Sequence, residues 1–210
     1  MYNIDDLIRQ GKNELKQCHY EKALELFEKA IELDPNNAEA WHAKVLPLRD
    51  LKRYDDALRA SDKAIDLSPD VERFWIRKGH ILFHLERYEE ALKMFDKGIE
   101  LAPRDWTYLG DKGRVLNSLK RYNEALTVCE EAIELCMDDP HSWKKKGELY
   151  EFVAFIIAEI WSIKGFALYY LERYKEALSA WDKSIELYPK DDEDKDRIEE
   201  YRRKAKAKIV

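Results

Sequence analysis

The feature that most constrains this chain is a spacing. Pro35, Pro69 and Pro103 recur at a constant step of 34. So do Tyr20, Tyr54, Tyr88 and Tyr122, then Ala23, Ala57, Ala91 and Ala125, and again Gly79, Gly113 and Gly147. A chain that repeats at this step folds into like units that stack on one another. The unit is clearest in Trp75–Pro103. Trp75, Gly79 and Leu82 share one face of a helix, and Tyr88, Ala91, Leu92, Phe95 and Ile99 share one face of a second. Glu86-Arg87 falls between them. Pro103 ends the second helix, because it lacks an N–H and its ring crowds the preceding turn. Gly79 and Ala91 are small, so the helices can approach closely there, with Trp75, Tyr88 and Phe95 filling the space around the crossing. Neither helix can bury its apolar face alone, so the expected fold is all-α, with helix pairs stacked in series.

This period and these residue types resemble the tetratricopeptide repeat (TPR) family, with its W-x-x-L-G-x-x-Y…A-x-x-x-F…P pattern. The resemblance implies a right-handed superhelical solenoid of antiparallel helix pairs over residues 1–190. Its repeats would lie at about 4–37, 38–71, 72–105 and 106–139, with a fifth over 140–190 that carries an 18-residue insert. Departures from the pattern are informative. Leu7 and Leu109 replace tryptophan, Val45 stands where glycine or alanine is usual, and Ser61 and Cys129 stand where phenylalanine is preferred. Pro47 lies inside a first helix and is expected to kink it. Met137 holds a proline position, with Pro140 shortly after it. The tail, 191–210, begins acidic and ends basic, which complements a helix dipole. Its only apolar stripe is Ile198, Tyr201 and Ala205, so it is expected to form a capping helix.

The fifth unit is irregular. Trp143-Lys-Lys-Lys-Gly147 begins a first helix, and Trp161-Ser-Ile-Lys-Gly165 begins it again at a step of 18. Glu148–Ile160 contains no Gly, Pro, Asn, Asp or Ser, so it holds no turn chemistry. At about 3.6 residues per turn that step is five whole turns, so phase is kept. One continuous helix from His141 to about Leu171 is expected; the rival is two first helices joined by a turn. Phe152, Val153, Phe155, Ile156, Ile157 and Ile160 make the insert apolar almost all round. Such a patch, without partners in its own chain, predicts self-association as a dimer, with exchange of the C-terminal helices. The alternative is that repeat four and the last helices cover it.

A net charge of −6 offers no attraction to nucleic acid or an anionic membrane, and no basic run reverses this. The first residues lack the basic and apolar regions of a secretory signal. The longest apolar run, Phe152–Ala158, falls short of the ~20 residues of a membrane helix. Cys18, Cys129 and Cys136 form neither a disulfide framework nor a zinc spacing. A soluble, cytoplasmic protein is expected, without a cofactor. His80 and His84 have an i, i+4 spacing that can hold a metal, but Ile81 stands where a zincin carries glutamate and no third ligand is evident. Polar contacts are the expected role for both, and no metal is expected. Glycines recur singly rather than in a phosphate loop, and no serine or cysteine sits in a nucleophile motif. A non-enzyme is expected.

The resemblance implies that the first helices line a concave groove for a peptide or a partner helix. Carried over by position, that groove presents Arg9, Lys12 and Lys16, then His42, Leu46 and Arg49. Arg73, Arg77, His80, Phe83 and His84 follow, and then Asp111, Arg114 and Asn117. A cationic wall on an acidic chain favours carboxylates, which arginine can clamp bidentately. The plainer reading is the ordinary charge of an exposed helix face. The family's carboxylate clamp for chaperone tails would fall on Ile8, Lys12, Ala43, Arg73 and Arg77, of which only the last two agree, so that role is not implied. The expected function is a scaffold that binds an acidic peptide or helix. The alternative is a self-assembling structural protein.

Overall fold

Five residues share one unusual backbone conformation: Cys18, Lys52, Glu86, Lys120 and Glu172 all have φ between 58° and 61°. The first four are one repeat apart, and each ends a first helix. In all five turns the next residue's N–H reaches back five positions, as from Arg53 to the Leu48 carbonyl at 2.8 Å, while Lys52 N–H reaches Arg49 at 2.8 Å. This pair of bonds satisfies the last carbonyls of the helix and reverses the chain. The residue that follows stands immediately before the second helix, as Arg53 stands before the helix that begins at Tyr54. Four of these are arginines, and each closes on the carboxylate three positions on: Arg53–Asp56, Arg87–Glu90, Arg121–Glu124 and Arg173–Glu176. In the first turn His19 takes the place of arginine and pairs with Glu14 at 2.8 Å.

The computed structural model describes residues 3–138, 148–188 and 194–209, with the backbone alone for 138 and 148–152. Eleven helices and no strands are present among them. They are α1 (Ile4–Lys16), α2 (Tyr20–Leu33), α3 (Ala38–Asp50), α4 (Tyr54–Leu67), α5 (Glu72–His84) and α6 (Tyr88–Leu101). Then come α7 (Trp106–Ser118), α8 (Tyr122–Asp138), α9 (Glu148–Tyr170), α10 (Tyr174–Leu187) and α11 (Asp194–Ile209). They gather into two compact units, Met1–Ala102 and Pro103–Val210.

In the first unit α1–α6 form three helix pairs, each stacked on the next. The pairs close where a small residue meets a ring. A Cβ on Gly11 would lie 2.4 Å from the Phe27 ring, and one on Gly79 would lie 3.0 Å from Phe95. In the second pair the same two positions are Val45 and Ser61, both buried. The volume has moved to the other helix, and the Ser61 hydroxyl donates to the Ala57 carbonyl at 2.8 Å. Trp41 and Trp75 fasten successive pairs, since each indole N–H donates to the carbonyl of Pro35 or Pro69 at 2.9 Å. Lys44–Glu28 and Lys78–Asp62 add ion pairs across the same joints, at 2.9 and 2.5 Å. Pro47 is buried in α3, which continues through it to Asp50.

In the second unit the small-to-large pairs are Gly113 with Cys129 and Gly165 with Trp181. Because Gly165 meets Trp181, the second copy of the restarted motif serves as the first helix of the fifth repeat. Helix α9 spans 23 residues against 13 for α7, about 15 Å more at 1.5 Å per residue. It is continuous from Glu148 through the insert, while His141, Trp143 and Gly147 lie outside the described residues. Val153–Tyr170 is long and apolar enough to cross a membrane by length and composition, yet half of it is buried within the chain. Its two charges, Glu159 and Lys164, pair with Arg114 at 3.0 Å and Glu130 at 2.9 Å. It is the core helix of its unit. Helix α11 covers the end of the stack as a cap: Ile198 and Ala205 are buried, and Tyr201 packs edge-on to Phe166 and Tyr169.

A methyl group at Gly165 would sit 2.3 Å from Trp181 Nε1. Gly165→Ala is expected to lower stability by roughly 1–3 kcal/mol, as overpacking does, despite alanine's better helix propensity. In a Trp181→Phe background the same change should cost less. Urea unfolding of the four proteins measures this coupling.

Candidate peptide-binding face

Helices α1, α3 and α5 lie side by side in the first unit, so residues one repeat apart become neighbours. Glu39, in the first turn of α3, occupies the centre of this face. Lys12 Nζ of α1 donates to its Oε1 at 2.8 Å, and Arg73 Nη2 of α5 donates to its Oε2 at 2.9 Å. Partial burial of Glu39 raises its pKa, but the hydrogen bonds from Lys12 and Arg73 outweigh this and hold it below the usual carboxylate range.

Behind this cluster lies His42, 9% exposed, its ring 4.7 Å from that of Phe74. Burial, with Arg77, Arg73 and Lys12 nearby, pushes its pKa down to about 4, against the opposing pull of Glu39. At neutral pH it is therefore an uncharged core residue. The expectation that it lines the groove is corrected: it is buried against Phe74, whose ring the Arg73 guanidinium covers at 5.1 Å.

The other expected groove residues divide. Arg9 pairs with Asp6 in its own helix at 2.6 Å, and Arg49 with its neighbour Asp50 at 2.7 Å. Arg77 is half-buried. His80 stands edge-on to Phe95 at 5.3 Å, and Phe83 packs against Tyr88 at 5.4 Å and His84 at 6.4 Å. Among the described residues no group of three His, Cys, Asp or Glu has the arrangement of a metal site. Arg114 belongs to the second unit, where it bonds Glu159. The basic wall thus carries its own carboxylates. Glu39 is absent from the expected groove set, which took the position of Arg73 in the third repeat but not its equivalent in the second. Its signal was available, since Glu39 and Arg73 are one full repeat apart and so adjacent once the repeats stack.

The insert is also corrected in part. Ile157 and Ile160 are only 2% exposed, and Val153, Phe155 and Ile156 are half-buried; the Phe152 side chain lies outside the described residues. From Val153 onward the insert packs within its own unit. Gly110 of α7 makes room for Ile160, with a notional Cβ 2.9 Å from Ile160 Cγ1. On the α10 side the Ser184 hydroxyl donates to the Ala158 carbonyl at 2.8 Å, and Phe155 stands against Tyr188 at 5.6 Å.

Family models agree with the repeat. Two described as tetratricopeptide repeat match residues 76–140 and 158–191, and that of the anaphase-promoting complex (cyclosome) subunit 3 matches 16–98. The chain is a tetratricopeptide-repeat protein. Solved TPR structures share its fold. MamA residues 41–end from Desulfovibrio magneticus RS-1 is 21% identical, with a TM-score of 0.70, over 89% of this chain and 96% of that one. YrrB, a TPR protein with an unusual peptide-binding site, is 22% identical, with a TM-score of 0.67, over 94% and 90%. A chain of the Cut9–Hcn1 hetero-tetramer of the APC/C is 18% identical, with a TM-score of 0.76, over 97% of this TPR chain but 36% of its own. No curated protein sequence matches significantly.

The depressed pKa of His42 gives a signed pH dependence. Folding disfavours its protonation, so its contribution is full above the ordinary value of 6.5 and is lost as pH falls towards 4. Between pH 7 and 5 the wild type should lose up to about 2 kcal/mol more than His42→Gln. Chemical unfolding at the two pH values measures the difference.

Proposed function

We propose that this protein is a non-enzymatic scaffold that binds an acidic peptide or helix on the α1–α3–α5 face. The observation that carries this reading is geometric: two cations from different helix pairs, Lys12 of α1 and Arg73 of α5, converge on one point of the face. An acidic segment meets there a surface that is locally positive on a chain of net charge −6. TPR-type repeats in general mediate protein–protein interaction, and the peptide-binding site named for YrrB supports a peptide as the ligand class. The unbridged cysteines, two of them buried, suit the reducing cytoplasm proposed as its location.

Fluorescein-labelled hexaglutamate titrated against the full chain tests this reading. Binding should weaken steeply with salt, and Arg77→Glu should reduce affinity by about tenfold or more, the value of one lost charge contact of ~1.4 kcal/mol. Salt-independent binding, or binding unchanged by Arg77→Glu, would remove the proposal.

Self-association through α9 is a second reading with less support. Half-buried Val153, Phe155 and Ile156, together with Met137 at 63% exposure, are the apolar surface it can use. Light scattering after size exclusion should give a monomer across a concentration series. A dimer that Ile156→Glu dissociates would restore this reading.

A further inference from the structure

We infer that Glu39 is a built-in occupant of the binding position, so that an acidic ligand enters the α1–α3–α5 face by displacing it. This rests on the reading that the face receives acidic segments. Both oxygens of Glu39 are engaged, one by Lys12 of α1 and the other by Arg73 of α5. A ligand carboxylate held between two cations would make the same contacts; here the chain supplies the carboxylate itself. All three residues come from different helix pairs, so the arrangement forms only once the pairs have stacked.

Glu39 is not spent on ending or starting its helix. The N-cap of α3 is Asn37, whose Oδ1 accepts from Ala40 N–H at 2.9 Å. Nor is Glu39 locked in place. Lys12 and Arg73 are each about half exposed, at 51% and 52%, and exposed ion pairs contribute little to stability. The side chain can leave without unfolding the unit. An incoming carboxylate therefore exchanges for Glu39 instead of adding to it. Affinity is reduced by that competition, which favours ligands that present more than one acid to the face.

Labelled hexaglutamate is the probe, titrated at low salt against the wild-type chain, Glu39→Gln, Glu39→Gln/Arg73→Gln, and Glu25→Gln as a control. Glu25 lies exposed on α2, so its change alters net charge by the same amount elsewhere. Glu39→Gln should bind about fivefold tighter than wild type or better, the double variant should lose that gain, and Glu25→Gln should stay within about twofold of wild type. Equal affinities for wild type and Glu39→Gln overturn the inference while leaving the acidic-ligand reading in place. An equal gain in Glu25→Gln also overturns it, since general charge would then suffice. Binding by Glu39→Gln alone upholds it and removes the acidic-ligand reading for the unaltered chain. No binding by any of the proteins overturns both.

Discussion

Three of the five helix pairs described in this protein close through a tight contact, a residue without a side chain set against a ring. Gly11 against Phe27 and Gly165 against Trp181 leave less room than one methyl group needs, and Gly79 against Phe95 is tight, with 3.0 Å for a notional Cβ. The large partner buries apolar area that a smaller one would forgo, and glycine allows the backbones to close over it. Val45 and Ser61 keep the rule with the roles exchanged, and Gly113 with Cys129 keeps it with a smaller filler. What recurs is at least one small residue at the crossing rather than a fixed residue at either position. That constraint also explains the fifth repeat. Gly165, which closes the second copy of the restarted motif, finds its large partner in the helix that follows, Trp181.

Once the pairs close and stack, a second consequence follows. Residues separated by one repeat lie side by side, so charges distant in sequence become pairs: Glu39 with Arg73 in the first unit, and Glu130 with Lys164 in the second. The candidate binding face is therefore a product of stacking. Lys12, Glu39 and Arg73 would have no reason to meet in an unfolded chain, and His42 would titrate near its ordinary value. Stacking buries its imidazole beside three cations, which removes its charge at neutral pH.

Helix α9 shows how the same forces treat an insertion. The added residues are apolar on nearly every side, a composition suited equally to a membrane, a second copy, or a core. Five whole turns preserve the phase of the helix, so Trp161–Tyr170 still packs as a first helix against α10, while Glu159 and Ile160 just before it meet α7. Gly110 and Ser184 provide, respectively, space for Ile160 and a donor for the Ala158 carbonyl. The extension is thereby drawn into its own unit.

By itself the sequence determined the helical class and the period, because periodic apolar faces, turn residues and prolines are local signals that survive without a fold. It also determined the capping role of Ile198, Tyr201 and Ala205, which form the one apolar stripe of an otherwise charged helix. Only the tertiary structure decided which charges oppose one another. A list of cations on the first helices read as an open basic wall, whereas stacking brought Glu39 between two of them and turned His42 inward. It decided too that Ile157 and Ile160 are core, since hydrophobicity states that a side chain must be covered but not what covers it. The physical reason is common to both: periodicity along a chain is a local property, while pairing and burial depend on neighbours that only packing supplies.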